Sequence, residues 1–407
     1  MINQKRLIHY PRIIAAVIWI VYILNVVFRK GWEGGIGGLI SFDFLTFYAI
    51  GKIYLTAIAH LYDFSTQFQV EQVIYSPTSL NGGGNIYPSP PYVAAVYSLF
   101  TLLPYSWAFF VWTIVSLMLI FIAVYWINKY LIREELLRAG LTHRQLLIVV
   151  LSFFPVVFGL NLGQNHALTF FLLTGIVIFS LTERWYLAGV FAGLLAYKPQ
   201  FVIGFLILWV VWRQYKALAA FLLVVALWLL PVIVHYGLEP FLAYLNALPS
   251  LILLPYGVGR FLEVSLFALL ATAFPPKALP GILMFNQVML VIASIGLALV
   301  AYKLRNIPMK ERNIGLILAI LFPFFVAPHI LIYDLLILVL VFILWSHIKL
   351  SKTALYLAIF TYFGSLLLLF VTYPTGVALL AFIPVLLLIF ILPDSLPFLS
   401  RPLQVDQ

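Results

Sequence analysis

The sequence contains no cysteine and few charged residues, and these two absences exclude several classes of protein. Without cysteine the chain can form no disulfide, no thiolate metal site and no cysteine nucleophile. Only 9% of its 407 residues are charged and 64% are hydrophobic, whereas a soluble domain has about 25% charged residues. Composition therefore excludes a soluble protein and indicates a membrane protein.

Apolar stretches recur from one end of the chain to the other, at the length needed to cross a hydrocarbon core of about 30 Å. Counting them predicts an all-α polytopic membrane protein with about 12 transmembrane helices, and 1–407 as a single transmembrane domain. The first stretch, 10–28, follows basic residues and lacks a small-residue cleavage site, which predicts a retained signal anchor. Segments 92–103 and 261–274 are too short to cross comfortably, so we expect interfacial or re-entrant helices there.

The net charge of +10 comes from basic residues in short loops between the apolar stretches. These loops are 128–145, 213–216, 303–312 and 349–352. Basic loops stay in the cytoplasm, so we expect a cell-membrane protein with both termini cytoplasmic, and no nucleic-acid partner. Residues 29–91 and 236–280 then form the two long extracytoplasmic regions.

Asp43 is the first carboxylate beyond the first apolar stretch, and aromatic and aliphatic residues surround it in the sequence. At about 100° per residue, residues 42–62 predict an amphipathic helix whose polar side carries Lys52, Thr56 and His60. Asp43 lies on the opposite, apolar side. An acid in apolar surroundings of a membrane protein is costly, which favours a functional site. Capping of the helix by Asp43 or Ser41 is the alternative.

Several short segments then follow Asp43 in a distinctive order. They are 42–44 (Phe-Asp-Phe), 61–63 (Leu-Tyr-Asp), 87–91 (Tyr-Pro-Ser-Pro-Pro), 162–165 (Leu-Gly-Gln-Asn), 193–199 (Gly-Leu-Leu-Ala-Tyr-Lys-Pro) and 328–329 (Pro-His). This order resembles glycosyltransferase family 87, the polyprenyl-phosphate-mannose-dependent mannosyltransferases with the GT-C fold. The resemblance extends over most of the chain, to about Trp345.

The resemblance implies transfer of a sugar, mannose in this family, from a polyprenyl phosphate to a lipid-linked or glycan acceptor on the outer face of the membrane. In such enzymes the acid of the first loop is the catalytic base, and Asp43 matches that position. A single carboxylate can suffice for inverting transfer, because the leaving phosphate is already anionic and needs no acid. Asp63 is the next acid to consider.

Three basic residues are candidates for holding the lipid phosphate, because cations and N–H donors stabilise such a group. Lys198 stands at the end of an apolar stretch, where snorkelling to the interface is the alternative. Arg260 offers a planar fork of donors that suits two phosphate oxygens. His329 follows Pro328, and a capped helix terminus is its alternative. Asp334 lies deeper in that stretch, where we expect it to pair within the bundle.

Gln164 and Asn165 are candidates for binding sugar hydroxyls, although they could instead cap the helix that starts near His166. Tyr87, in the segment 87–91, completes the predicted substrate-binding residues. The outer loops contain no Asp-x-Asp motif and no histidine cluster, so we predict transfer without a metal or another cofactor.

Two other functions fit the same composition. A carrier or flippase for a lipid-linked glycan would place Asp43 and Lys198 along a path, but transporters usually bind substrate near the midplane. Here the unusual polar residues gather on one predicted side, which favours an enzyme. A structural subunit that docks a partner through its outer loop is the third possibility.

Overall fold

A computed structural model of the protein describes residues 42–75, 87, 89–132, 142–252, 260–349 and 351–399, together with five residues between 13 and 20. Within these ranges the chain forms eighteen α-helices and no strand. The structure thus confirms an all-α polytopic membrane protein. Most of the predicted first span, 10–28, lies outside the described residues, as do parts of the loops at 76–86, 133–141 and 253–259.

The first nine α-helices are α1 Phe42–Thr56, α2 Phe64–Tyr75, α3 Pro91–Ser98, α4 Tyr105–Tyr130, α5 His143–Ser152, α6 Phe154–Leu162, α7 His166–Leu181, α8 Trp185–Leu194 and α9 Gln200–Val211. The other nine are α10 Tyr215–Tyr236, α11 Glu239–Ile252, α12 Leu266–Ala273, α13 Leu279–Leu304, α14 Asn313–Val326, α15 Leu338–Ile348, α16 Lys352–Leu367, α17 Leu369–Thr375 and α18 Phe382–Leu399. Short 3₁₀ helices include Ile58–His60, Leu99–Leu102, Leu195–Tyr197, Arg260–Leu262, Pro276–Ala278, Met309–Glu311, Ile332–Ile337 and Leu379–Ala381.

The chain divides into two compact units. Unit 1 comprises Met1–Ile122, Arg144–Leu168 and Val225–Leu251. Unit 2 comprises Ala123–His143, Thr169–Val224 and Ile252–Gln407.

Three described helices are long and apolar enough to cross a membrane, namely Tyr105–Tyr130, Tyr215–Tyr236 and Pro276–Leu304. Two bent pairs raise the number to five if each pair forms one span, and several apolar helices of 10–17 residues accompany them. The predicted total of about 12 crossings therefore stays a prediction. The helices in 92–103 and 261–274 are short, as expected, and their interfacial placement also stays a prediction.

The apolar stretch that begins at Leu146 is not one helix, because α5 and α6 meet at a bend of 58°. Pro155 lies in the first turn of α6, where a residue without an N–H is tolerated. The same proline cannot donate to the carbonyl of Leu151 four residues earlier. In unit 1 the indole of Trp19 supplies that missing donor, with its Nε1 3.0 Å from the Leu151 oxygen.

Helix α1 buries its apolar side in unit 1, as its pattern predicts. Phe47, Ile50 and Tyr54 are buried, whereas Lys52 and Thr56 are exposed. The helix ends at Thr56, so the predicted continuation to residue 62 is a 3₁₀ turn instead. Close packing on α3 requires a glycine: a Cβ on Gly51 would come within 2.7 Å of the backbone of Tyr97.

Candidate active site

Asp43 lies in the first turn of α1, where the helix dipole favours a negative charge, and its side chain is half-buried. The amide Nε2 of Gln164 donates a hydrogen bond to Asp43 Oδ2 at 2.7 Å. The same side chain accepts the backbone N–H of Asn165 through Oε1 at 3.3 Å. Gln164 therefore links Asp43 to the start of α7, so that the two predicted residues are in direct contact within unit 1.

Gly163 brings Gln164 to this position. It ends α6 in the left-handed region, at φ 68°, and the N–H of Gln164 then returns to the carbonyl of Gly159 at 2.9 Å, which is a Schellman motif. A Cβ on Gly163 would lie 2.4 Å from the Cβ of Phe44, the neighbour of Asp43. The sequence Leu-Gly-Gln-Asn thus provides both the helix end and the space for close approach.

Aromatic rings form the wall beside Asp43. Phe44 is completely buried and has ring neighbours at centroid distances of 5.5–6.5 Å, namely Tyr48, Phe100, Tyr105, Phe109 and Trp112. The indole of Trp112 donates to the carbonyl of Gly163 at 2.9 Å, which fixes the loop that carries Gln164. Asn165 is buried and hydrogen-bonds with the Tyr97 hydroxyl. The surroundings of Asp43 are therefore apolar on one side and amide-lined on the other.

Asp63 has a structural role, unlike the role predicted for Asp43. It precedes α2 and accepts hydrogen bonds from the Ser65 backbone N–H at 3.1 Å, the Ser65 hydroxyl at 2.8 Å and the Thr66 hydroxyl at 3.1 Å. These bonds, the one from the Ser65 side chain above all, lower the pKa of the exposed Asp63 carboxyl. Asp63 is the N-cap of α2.

Tyr87 is completely buried, and its hydroxyl donates to the carbonyl of Pro90 at 2.9 Å. Gln67 accepts the Tyr87 backbone N–H at 3.3 Å, and the ring stacks on Tyr62. These contacts organise the proline segment. The predicted role of Tyr87 in substrate binding stays a prediction.

Glu71 is a further acid of unit 1, and sequence analysis did not single it out. It is fully buried in α2, and the hydroxyl of Thr46 donates to its Oε1 at 2.6 Å. Thr46 is three residues along α1 from Asp43, so Glu71 reaches the next turn of the same helix. The only sequence signal for Glu71 is its place on the buried side of a helix that contains both polar and apolar residues.

In unit 2, Lys198 forms an ion pair with Asp334, with 2.7 Å between Nζ and Oδ1. The ammonium also lies over the rings of Phe201 and Tyr333, 5.7 and 5.3 Å from their centroids. Lys198 is therefore held inside the unit rather than snorkelling freely. The expectation that Asp334 pairs within the bundle is confirmed.

His329 in unit 2 is paired with Glu263, a buried acid that sequence analysis did not identify. The imidazole Nδ1 contacts Glu263 Oε1, and Glu263 Oε2 accepts the backbone N–H of Ile330 at 3.1 Å. His329 lies between α14, which ends at Val326, and the 3₁₀ helix Ile332–Ile337, so it is not at the helix start that the alternative interpretation required.

The two members of this pair alter each other's proton affinity. Burial raises the pKa of the Glu263 carboxyl, and the neighbouring His329 opposes that rise. Burial acts to lower the pKa of His329, but the neighbouring acids, Glu263 above all and then Asp334, together outweigh burial and raise the pKa of the imidazole above its usual value. The pair therefore favours an imidazolium beside a carboxylate.

Arg260 is exposed on the 3₁₀ turn that precedes Glu263. Its guanidinium lies against Gly376, where an added Cβ would come within 2.7 Å of Nη2. Arg260 thus belongs to unit 2 with Lys198 and His329, and its role in phosphate binding stays a prediction. Among the described residues, no group of three His, Asp or Glu side chains could hold a metal ion.

The comparison with known families bears on this arrangement. The sequence model of glycosyltransferase family 87 matches residues 87–328, more than half of the chain. The chain belongs to glycosyltransferase family 87. No curated protein matches the sequence.

Membership of family 87 means that the protein is a glycosyltransferase, which acts on a sugar donor and an acceptor. The matched stretch contains Gln164, Asn165, Lys198 and Arg260, begins after Asp43 and ends one residue before His329. The resemblance inferred from the order of short segments is thus confirmed at the level of the family.

Proposed function

We propose that this family 87 enzyme transfers a sugar, mannose, with inversion from a polyprenyl-phosphate donor to a hydroxyl of a lipid-linked or glycan acceptor at the extracytoplasmic face of the cell membrane. Asp43 is the general base. The observation that supports this role is the direct hydrogen bond from Gln164 to Asp43, which orients a carboxylate in a largely apolar environment. A carboxylate that served only as a helix cap would need no amide 121 residues away.

The chemistry requires one proton transfer. The acceptor hydroxyl oxygen attacks the anomeric carbon while the bond from that carbon to the phosphate oxygen breaks. Asp43 takes the hydroxyl proton, and the polyprenyl phosphate leaves with the electron pair of the broken bond. Gln164 donates to Oδ2, which keeps the carboxylate in one orientation.

Lys198, Arg260 and His329 are the proposed contacts of the donor phosphate. Charge-assisted hydrogen bonds to phosphate oxygens stabilise the charge that grows as the leaving group departs. Gln164 and Asn165 are the proposed contacts of sugar hydroxyls, together with Tyr87. No metal enters the proposed reaction, so we expect transfer to continue in excess EDTA.

Purified protein with a radiolabelled polyprenyl-phosphate mannose and a membrane glycolipid extract as acceptor tests the proposal. Asp43→Asn should lower kcat by about 10²–10⁴-fold, the usual contribution of a general base, with an unchanged melting temperature. Asp63→Asn is the matched control, because asparagine also caps helices, and it should retain activity.

Near-normal turnover by Asp43→Asn would move the base elsewhere, with Glu71 the next acid to replace. Lipid translocation by the purified protein without transfer to any acceptor would favour the carrier and overturn the enzyme proposal.

A further inference from the structure

Two ion pairs of unit 2, His329–Glu263 and Lys198–Asp334, share an orientation. The side chain of His329 is 29% exposed and that of its partner Glu263 is 1% exposed. The Lys198 side chain is 14% exposed and that of its partner Asp334 is 4% exposed, so the basic residue is again the more exposed of the two. In both pairs the basic group thus faces the accessible side and the acid lies behind it. An anion site needs this polarity. The surface pair Lys349–Asp394 has the same order of exposure, 59% and 13%, so the inference depends on how Glu263 is held.

Glu263 is fixed on both sides of its carboxylate. One oxygen contacts His329 Nδ1 and the other accepts the Ile330 N–H. The backbone of the two segments is also joined, since the Val264 N–H donates to the Ile330 carbonyl at 2.8 Å. The Ser265 hydroxyl donates to the carbonyl of Pro328 at 3.2 Å. The carboxylate therefore cannot turn away from the imidazole without losing its bond to the Ile330 N–H.

The contact at Nδ1 also decides what the other ring nitrogen can do. A carboxylate on Nδ1 favours a proton on that nitrogen, which leaves Nε2 as the nitrogen available to a ligand. The charged groups that face His329 are Glu263 and, from the elements packed against it, Asp334 and Lys198. Two of these three are acids. Their net effect favours the doubly protonated ring, whose Nε2–H can donate to an anion.

We propose that Glu263 is a positioning residue, which holds His329 so that its Nε2–H is presented to the phosphate of the polyprenyl-phosphate donor. This inference rests on the proposed function, in which His329 is one of the residues that contact the donor phosphate. Glu263 itself contacts neither substrate. The arrangement is that of a carboxylate behind a ligand-binding histidine, in which the acid sets the tautomer and the ring orientation.

Steady-state kinetics of Glu263→Gln, with both substrates varied, tests the proposal. We expect kcat/KM for the donor to fall about tenfold, the worth of one charge-assisted hydrogen bond, while KM for the acceptor is unchanged. The alkaline limb of the pH profile should move down by about one pH unit, because an opposite charge shifts a neighbouring pKa by that much or more. Glu263→Asp keeps the charge and should recover part of the loss. Exposed Glu239→Gln is the matched control.

A double-mutant cycle with His329→Gln separates positioning from a role in holding the backbone. If Glu263 acts through His329, Glu263→Gln adds no further loss of donor kcat/KM in the His329→Gln background. An equal loss in both backgrounds would overturn the proposal, since it would show that the bond to Ile330 is what matters.

Nitrogen-15 NMR of the labelled protein supplies a readout that needs no activity, with the His329 signal assigned by its absence in His329→Gln. Glu263→Gln should move the titration of His329 to lower pH and reduce the preference for protonated Nδ1. An unchanged titration would overturn the inference. A shifted titration in a protein that transfers no sugar would retain the positioning role and reject the proposed function.

Discussion

The bond between Gln164 and Asp43 is the feature of the candidate site that a single substitution can test most directly. Gln164→Ala removes the amide that donates to Asp43 Oδ2. A hydrogen bond to a charged group contributes about 1.5–3 kcal/mol, so we expect kcat to fall by about 10–100-fold as the carboxylate loses its fixed orientation. The measurement is kcat of the purified variant at saturating donor and acceptor.

Gln69→Ala is the control for this substitution, because Gln69 is exposed on α2 and lies outside the proposed machinery. It should retain full activity. An active Gln164→Ala enzyme would show that Asp43 needs no orienting partner, and it would also weaken the assignment of Gln164 to sugar binding.

Asp63 gives a prediction about pH and stability. Its pKa is lowered in the folded protein, chiefly by the hydrogen bond from the Ser65 side chain. A lowered pKa stabilises the fold above the ordinary pKa of aspartate and loses that effect as the pH falls through the lowered value. Asp63→Ala should therefore lower the melting temperature at pH 7, and the difference from the wild type should shrink steadily below about pH 4.

Asp63→Asn provides the contrast for this experiment. Neither asparagine nor alanine titrates at this position, so the difference in melting temperature between Asp63→Asn and Asp63→Ala should stay constant over the same pH range, while the wild type loses its advantage over both. A gap between wild type and Asp63→Ala that stayed constant with pH would show that the charge of Asp63 contributes nothing to the cap.

Individual residues differ in how far the sequence reveals them. Asp43 could be predicted because it is out of place in an apolar helix, and Gln164 because it stands in a polar turn between two apolar stretches. Glu263 also stands among apolar residues, between Leu262 and Val264, but nothing in the sequence indicates that it meets His329, 66 residues away. Contacts of this kind are decided by tertiary packing, which local patterns do not encode.

Among the helices, the end of α6 is where local backbone geometry and the candidate site depend on each other. Gly163→Ala should destabilise the protein for two reasons. A left-handed backbone costs a residue with a Cβ about 1–2 kcal/mol, and that Cβ would collide with Phe44 at 2.4 Å, which adds about 1–3 kcal/mol of overpacking. We also expect reduced transfer, since the collision displaces α1 or the turn that carries Gln164. Melting temperature and kcat are the measurements.

Gly237→Ala isolates the backbone contribution. Gly237 ends α10 with φ 71°, and nothing lies within 4 Å of its position for a Cβ. Gly237→Ala should therefore lower the stability of the protein only by the left-handed strain, about 1–2 kcal/mol, and leave sugar transfer unchanged. Equal destabilisation by the two substitutions would contradict the claim that Gly163 is needed for the approach to Phe44.

The sequence predicts the positions of most helices well, but not their breaks. Hydrophobicity alone favoured one span from Leu146, although Pro155 marks the break at which α6 restarts. The compensation for that break comes from Trp19, 132 residues away from Leu151. A reader of the sequence can locate the unpaired carbonyl but cannot know which donor reaches it.

For the whole molecule, the distribution of charge and exposed apolar side chains sets the expected relation to the membrane. Outward-facing leucine, isoleucine, valine and phenylalanine cover α10 and α13, which suits helices in contact with lipid. Basic residues gather in the turns that join the helices, as in the segment 303–312. Together these features predict that 303–312 faces the cytoplasm and that α2 faces the opposite side.

The absence of cysteine makes this topology directly measurable. Asn306→Cys and Gln69→Cys each place a single thiol at an exposed, uncharged position, so neither changes the charge pattern that sets orientation. A membrane-impermeant maleimide added to intact cells should label Gln69→Cys and leave Asn306→Cys unlabelled until the membrane is permeabilised. Labelling of both thiols only after permeabilisation would place the candidate active site on the cytoplasmic side. The proposed extracytoplasmic reaction would then be wrong.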